Sequence, residues 1–308
     1  MKKTIVLTGV CLLTGINGLF AQISIEKEDG GLWILDGSKR IAFYQKEPAG
    51  TNLPDERSNY LHPLYLPDGT VITENAPDDH PHHRGVYWAW HQILINGRAV
   101  GDSWTLENFV NEVDEVGFTR DGQGNGILQT KVLWRSPAWK NGKEALLHET
   151  ATYTFYPQKS NFRRITIDLA LTSLADHLQL GGSDDEKGYG GFSVRMKLPD
   201  DMAFIGEHGE VEPQNTAVEA GNYINMTGPV GKNGSPGGIV IYAHPENQST
   251  PPTWILRKKA SMQNAVFPGR KPVDLQKSVP LKLSYTLILY NGRINAGTIL
   301  EEAKIQER

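Results

Sequence analysis

The chain has 308 residues and a formal net charge of −4, from 31 basic and 35 acidic side chains. This length is enough to bury a large core, and the sequence has no basic run of the kind that binds nucleic acid. After the first segment, no apolar stretch reaches membrane-spanning length, which excludes a membrane span in the mature chain.

Residues 1–21 have the three parts of a secretory signal peptide. A pair of lysines precedes an apolar run over 4–16, and a small-residue cleavage site ends at Ala21. We therefore expect an exported protein, periplasmic or secreted, whose mature part is a single domain over residues 22–308. The alternative for the first segment is an N-terminal membrane anchor.

Almost every element predicted after the signal peptide is a β-strand. Alternating or β-branched patterns predict strands at 128–134, 150–156, 164–173, 192–198, 238–243 and 281–289. In the clearest strand, Ile165, Ile167 and Leu169 point to one face while polar residues point to the other. Only residues 296–306 have a helical composition. Many strands without alternating helices predict an all-β fold, a large antiparallel β-sandwich.

Three long segments between these strands show little periodicity, and we predict that they are loops lining a pocket. They cover residues 54–84, 181–191 and 244–268. Loops of this length in a compact domain usually carry function. We therefore expect a rigid sandwich whose loops bring distant residues to one site.

The end of the first loop is the part of the chain with the most functional side chains. Its histidines, arginine and tryptophans are His80, His82, His83, Arg84, Trp88, His91 and, after the next turn, Trp104. Imidazoles exchange protons near neutral pH, arginine orients polar ligands, and indole faces stack on sugars. If the backbone is extended here, His80 and His82 share one side and His83 takes the other.

Two other interpretations of this segment stay open. We expect no cofactor, but an extended His-X-His pair can bind a transition metal, with His80, His82 and His91 as the ligands. Alternatively, these residues only pin a loop, since histidine often satisfies backbone groups and tryptophan often lies in a core.

The second candidate is the glycine-rich loop at 181–191. It contains the carboxylates Asp185 and Glu186 beside a lysine. A carboxylate near a histidine is the minimum for general acid–base work. The alternative is a solvated acidic turn without a function.

The third candidate follows the predicted strand at 238–243. It places His244, Asn247, Trp254 and Arg257 in a proline-rich loop. A polar cluster where a strand ends is typical of a pocket wall. The alternative is a proline turn with an exposed histidine.

The segment from His80 to Gly85, followed by Trp88, Asn96-Gly97 and Trp104, resembles the bacterial PmoA-like family, and the segment from Gly238 to Trp254 is similar to it as well. Members are often labelled "methane oxygenase" after a membrane subunit, but such a subunit needs spanning helices that the mature sequence does not contain. The resemblance implies a supersandwich like that of galactose mutarotase and activity on sugars. It also implies that neighbouring genes encode sugar oxidoreductases and keto-glycoside enzymes. The family often has a glutamate before the glycine pair of the middle motif, a role that Asp185 or Glu186 would take here.

Together these segments predict an enzyme that acts on a small carbohydrate or glycoside. Protons would be exchanged by His82, His83, His244, Asp185 and Glu186. The sugar would contact His80, Arg84, Trp88, His91, Trp104, Asn247, Trp254 and Arg257. The reaction would be epimerisation, elimination or hydrolysis, each of which needs an acid and a base at one carbon. The rival is a non-catalytic glycan-binding module, in which the tryptophans matter and the histidines do not.

Overall fold

A computed structural model describes residues 22–49, 56–247 and 252–304. The predicted signal peptide, residues 1–21, lies outside the described residues. None of the helices in these ranges has the length and apolarity needed to cross a bilayer.

The elements are almost all strands. In chain order they are β1 (Ile23–Glu28), β2 (Gly31–Asp36), β3 (Lys39–Gln45), β4 (Tyr60–Leu64), β5 (Val86–Ala89), β6 (Gln92–Ile95), β7 (Arg98–Gly101), β8 (Val110–Arg120), β9 (Gly126–Arg135), β10 (Leu147–Phe155), β11 (Phe162–Ser173), β12 (Leu178–Gly181), β13 (Gly191–Arg195), β14 (Ala203–Gly206), β15 (Gly209–Glu210), β16 (Val218–Glu219), β17 (Tyr223–Gly228), β18 (Gly237–Ala243), β19 (Thr253–Ile255), β20 (Met262–Val266), β21 (Val273–Asp274) and β22 (Leu281–Asn291), followed by the helix α1 (Ala296–Lys304). Short 3₁₀ turns cover Lys140–Gly142 and Lys232–Gly234.

The strands form two large sheets and one small sheet. The first sheet has the order β1-β2-β3-β4-β5-β13-β20-β19-β16, and the second has the order β15-β14-β17-β18-β22-β11-β10-β9-β8. The third, smaller sheet has the order β21-β12-β6-β7. The strand pairings are antiparallel. One hydrophobic core draws side chains from both large sheets, which confirms the predicted all-β antiparallel sandwich.

Alternation along each strand sorts the large sheets into inner and outer faces. On β11, Ile165, Ile167 and Leu169 are at most 3% exposed and join the core between the sheets, as their spacing predicts. On β5, Trp88 faces this core, whereas the neighbouring Tyr87 belongs to a separate cluster on the outer face of the first sheet. The two faces of β5 therefore have different roles.

The outer face of the second sheet is covered by the C-terminal helix. Ile299 and Ala303 of α1 pack on Val240 and Tyr242 of β18 and on Ile288 of β22. The predicted helix at 296–306 agrees with α1 at its start, and its last two residues lie outside the described part of the chain. The helix packs on the second sheet, and the outer face of the first sheet carries its own buried cluster around Tyr87.

A long edge strand, β8, ends the second sheet. It spans 11 residues and pairs with β9. The register shifts between Val113 and Glu115, so a β-bulge interrupts the strand at Asp114. The carboxylate of Glu115 pairs with Lys131 of β9 at 2.6 Å.

Two of the three predicted loops contain strands, which corrects the sequence analysis. The segment 54–84 includes β4, and the segment 244–268 includes β19 and β20. The sequence pattern does not reveal β20 because this central strand is buried on both faces and carries Gln263 and Asn264. The Nδ2 group of Asn264 donates to the carbonyl of Phe192 at 2.9 Å, which makes its burial tolerable.

Candidate functional site

Imidazole and aromatic rings come together on the outer face of the first sheet. We call this group the ring cluster; its members are His80, His82, His83, Tyr87, His91, Trp104 and Tyr189. Tyr87 comes from β5 and Tyr189 from the glycine-rich loop before β13. The first and second predicted loops therefore meet in space.

A β-turn, rather than an extended backbone, shapes the histidine segment. The amide of His83 donates to the carbonyl of His80 at 2.9 Å, with Pro81 at the second position of the turn. Proline favours this position because its φ is already fixed near the turn value. The turn stacks the rings of His80 and His83 at 4.5 Å with an interplanar angle of 4°. The predicted arrangement, with His80 and His82 on one side and His83 on the other, is therefore wrong.

The buried guanidinium of Arg195, at the end of β13, anchors this turn. Its Nη1 and Nη2 donate to the two carboxylate oxygens of Asp79 at 3.0 Å each, and its Nε donates to Glu74 at 2.8 Å. Burial raises the pKa of Asp79, but hydrogen bonds from Arg195 and His80 outweigh it and lower the pKa to about 2. Asp79 is therefore a fixed carboxylate at neutral pH.

Two imidazoles of the ring cluster are each held by a carboxylate. Asp79 lies 2.6 Å from Nδ1 of His80, and Asp102 lies 2.8 Å from Nδ1 of His91. Burial opposes the ionisation of Asp102, but the hydrogen bond and charge of His91 lower its pKa. Because an ionised carboxylate only accepts, each Nδ1 carries a proton. The Nε2 of His91 is buried and has no hydrogen-bond partner among the described residues. Carboxylates orient general-base histidines in this way.

His83 is held in the neutral form between these two pairs. It is 2% exposed, and burial, the neighbouring imidazoles and the charge of Arg195 lower its pKa to about 2. Its Nδ1 lies 3.3 Å from Nη1 of Arg195, and a guanidinium only donates, so Nδ1 accepts and the proton lies on Nε2. The predicted role of His83 in proton exchange near neutral pH conflicts with this environment. In the structure, its ring stacks on His80 and its Nδ1 accepts from Arg195.

We expect acid to destabilise the protein partly through His83. Its pKa in the folded state is below the ordinary value of 6.5, so the unfolded chain binds more protons and stability is lost as the pH falls below 6.5. In urea titrations, His83→Asn should therefore show a weaker fall of the unfolding free energy between pH 6.5 and pH 4. The exposed His208→Asn should keep the wild-type dependence. An unchanged slope in His83→Asn contradicts the neutral state of this imidazole.

Tyr189 is the member of the ring cluster that comes from the second loop, and Arg257 lies near it. The half-buried ring of Tyr189 lies 4.8 Å from His91 and 4.9 Å from Trp104. Burial and nearby carboxylates, Asp185 first, raise the pKa of Tyr189, and the charge of Arg257 opposes them. Trp104 is 1% exposed, so its indole supports the cluster from below.

The two carboxylates predicted to exchange protons have no hydrogen bond to the histidines of the ring cluster among the described residues. Asp185 accepts from Oγ of Ser183 at 2.7 Å and from the amide of Lys187 at 2.9 Å. Burial raises the pKa of Asp185, but these hydrogen bonds outweigh it and lower the pKa. Glu186 is exposed.

Arg84 is turned toward the backbone of the histidine segment. It is 0% exposed. Its guanidinium donates to the carbonyls of Pro81, of His83 at 2.9 Å and of Ala49 at 3.3 Å. These bonds fix the path of the chain below the cluster. The predicted contact of Arg84 with sugar hydroxyls conflicts with this burial.

Trp88 and Trp254 point into the core between the large sheets. They are 4% and 0% exposed. The indole N–H of Trp88 donates to Glu149 at 2.9 Å, and that of Trp254 donates to the carbonyl of Gly221 at 3.0 Å. Burial leaves neither indole with a face for a ligand, so the stacking predicted for them conflicts with the structure.

His244 and Asn247 lie on the other large sheet. The Nε2 of His244 is 2.9 Å from Oγ1 of Thr286, and its ring is 5.1 Å from Tyr242 on the outer face of the second sheet. Asn247 exchanges hydrogen bonds with the backbone of Ser284. Because the ring cluster lies on the outer face of the first sheet, the core separates the two groups. His244 and Asn247, at the start of the third loop, therefore do not share a pocket with the ring cluster. Arg257, later in the same loop, lies near Tyr189 of that cluster.

The geometry gives no support to the predicted metal ligands. Among the residues that the structure describes, no three His, Cys, Asp or Glu side chains are placed to hold a metal ion. His91 pairs with Asp102, and its ring stacks on Trp104 at 5.4 Å. The rings of His80 and His82 contact each other and His83.

Comparison with protein families identifies a family for this chain but no activity. Residues 33–304 match the profile of a family described as "Family of unknown function (DUF6807)". This chain belongs to that family. No curated protein gives a significant match. The matched segment contains every residue of the ring cluster and the carboxylates that hold it.

Sequence reasoning missed Arg195 and Asp102. Arg195 lies between Val194 and Met196 in the predicted strand at 192–198, and a charge flanked by apolar residues is the signal that could have revealed it. Asp102 follows His91 by 11 residues. The β6–β7 hairpin turns at the predicted Asn96-Gly97 and brings residue 102 near residue 91, although a register shift between Ile93 and Leu94 means that the two are not direct partners.

Proposed function

We propose that this chain is an exported carbohydrate-active enzyme that moves protons on a saccharide at the ring cluster. The observation that carries the proposal is the presence of two carboxylate–imidazole pairs, Asp79–His80 and Asp102–His91, in one cluster. Epimerisation and elimination both need one group that removes a proton and another that returns it. Two imidazoles oriented by carboxylates are candidates for these two roles.

A saccharide suits the surroundings of these imidazoles. The half-buried ring of Tyr189 offers an apolar surface for the C–H face of a sugar and a hydroxyl for its polar edge. His82, whose ring lies 4.7 Å from His83, adds another partly exposed polar ring. The resemblance to the PmoA-like family and to the galactose-mutarotase supersandwich belongs to this proposal and favours a sugar as the substrate.

Solvent isotope exchange detects the removal of a C–H proton next to a carbonyl, and NMR of anomer ratios and products detects reactions that exchange no C–H proton. The protein is incubated in D₂O with a panel of reducing sugars and keto-glycosides, and ¹H NMR follows anomer ratios, new products and C–H signals next to carbonyls. We expect the wild type to accelerate the reaction of at least one compound. His80→Gln and His91→Gln should each lower that rate by at least about a hundredfold.

The control for this experiment is His208→Gln, an exposed histidine outside the ring cluster, which should keep the wild-type rate. Thermal unfolding of each variant checks that the fold is intact. Wild-type rates in both cluster variants contradict the proposal. Binding of a panel sugar without any turnover supports the non-catalytic glycan-binding module instead.

A further inference from the structure

A cavity lies at the turn of the β6–β7 hairpin, at the opposite end of β6 from His91. Its volume is about 310 Å³, at the lower end of the range for small-ligand sites. Its polar and aromatic lining consists of Asn96, Trp139, Lys140, Glu144, Asp176 and Lys277. We call this cavity the Trp139 site. None of these residues belongs to the ring cluster.

Trp139 differs from the other tryptophans of the chain. The sequence has seven, and the other six are 8% exposed or less. Trp139 is only half-buried, with one side packed against the core. Five of the buried indole N–H groups donate hydrogen bonds within the protein. The indole of Trp139 makes none with the described residues, so an aromatic surface and a donor are both available at the cavity.

The backbone next to Trp139 is strained in a way that its local sequence does not require. All three residues of Lys140–Gly142 have positive φ, including 45° at Lys140. The same tripeptide recurs at Lys232–Gly234, where only the second and third residues have positive φ. Left-handed lysine is unfavourable, and strain of this kind clusters at ligand sites. Here it leaves Nζ of Lys140 5.4 Å from the centre of the Trp139 ring.

The charges around the cavity balance. Lys140 pairs with Glu144 at 2.7 Å, and Lys277 pairs with Asp176 at 2.8 Å. Both pairs are largely exposed, so their donors and acceptors are accessible at the cavity and carry no net charge together. Such a rim favours a neutral polar ligand over an anion or a cation.

We infer that the Trp139 site binds a neutral saccharide unit. The indole packs on the C–H face of the sugar ring, and the two ion pairs with the amide of Asn96 bind its hydroxyl groups. Sugars combine one apolar face with a polar edge, which matches an aromatic wall inside a polar, uncharged rim. The inference depends on no step of the chemistry proposed for the ring cluster.

The experiment uses the full chain and an array of neutral oligosaccharides, followed by calorimetry on the sugar that binds best. We expect Trp139→Ala to weaken binding by at least about tenfold. Lys277→Ala, which changes only the exposed rim, should weaken it severalfold and remains informative if Trp139→Ala does not fold. The matched control Lys282→Ala, an exposed lysine outside the cavity, should bind as the wild type does.

Acrylamide quenching of tryptophan fluorescence supplies a second readout. Because Trp139 is the partly exposed indole, it should account for most of the quenching, and the bound sugar should reduce that quenching. The His80→Gln/His91→Gln double variant should keep this protection, which separates the inference from the proposed function. The inference is overturned if the wild type binds no neutral glycan, or if Trp139→Ala and Lys277→Ala bind every glycan as the wild type does.

Discussion

Replacing Glu149 with alanine should destabilise the protein by about 3–5 kcal/mol, because the substitution leaves three buried donors without an acceptor. Glu149 is 0% exposed in the core between the large sheets. Its carboxylate accepts the indole N–H groups of Trp88 and Trp134 at 2.9 Å each and the amide of Asn59 at 2.7 Å. Trp88 belongs to the first sheet and Trp134 to the second, so one carboxylate joins the two layers. Urea denaturation measures the loss.

The substitution Glu149→Gln removes the charge and replaces one accepting oxygen by an amide nitrogen that only donates, so the pH dependence of the difference, rather than its size, reports on the charge. Burial raises the pKa of Glu149 above its ordinary value of 4.5, against the opposing effect of the three donors. Its contribution to stability is therefore complete below pH 4.5 and declines as the pH rises through the folded-state pKa. Glutamine does not ionise, so the stability of Glu149→Gln relative to the wild type should rise with pH above 4.5.

The control for both variants is Glu115→Gln on the exposed edge strand β8, which should change the unfolding free energy by less than about 0.5 kcal/mol. A difference between Glu149→Gln and the wild type that does not change from pH 4 to pH 8 contradicts the effect of burial. A loss below about 1 kcal/mol in Glu149→Ala contradicts the role of the carboxylate as the shared acceptor.

Arg195→Met should damage both stability and the proposed activity. The guanidinium is 2% exposed and holds Asp79 and Glu74, and through Asp79 it orients His80. The two carboxylates are 36% and 35% exposed, so water compensates part of the loss. We expect a destabilisation of about 2–3 kcal/mol, below the cost of breaking a fully buried pair. The rate on the substrate found by isotope exchange should fall at least about tenfold, because His80 loses its fixed partner.

Arg163→Met is the matched control for this prediction. Arg163 is also 2% exposed and pairs with Asp36 at 3.2 Å, but it is outside the ring cluster. It should cost at least as much stability and leave turnover unchanged at a temperature where both variants are folded. If the two variants lose activity equally, Arg195 has no positioning role and its effect is only on the fold.

The parts of the fold that follow from sequence are those with one buried and one solvated face. The second half of β11 and the first half of β22 alternate buried apolar residues with more exposed polar ones, so their pattern predicts both their existence and their orientation. Strand β20 has no such pattern because both of its faces are covered. Its polar residues are tolerated by hydrogen bonds to neighbouring strands, and only the assembled sheet reveals those bonds.

The candidate site divides in the same way between local and distant information. His80, His82 and His83 are adjacent in sequence, so their cluster could be predicted, although the turn that stacks two of their rings could not. Arg195 is 112 residues from His83 and reaches it through strand pairing. The expectation for His244 failed because its sheet face depends on the pairing of β18 with β22. Tryptophan identity alone could not separate Trp88 in the core from Trp139 at the surface.

The long edge strand β8 affects the tendency of the protein to self-associate. An open edge of 11 residues is a template on which a second copy could add a strand. The bulge at Asp114 bends this edge, and the acidic side chains around it repel the same edge of another molecule. Replacing these side chains by their amides would remove the repulsion and leave only the bend. Self-association of the concentrated variant should therefore begin at this edge.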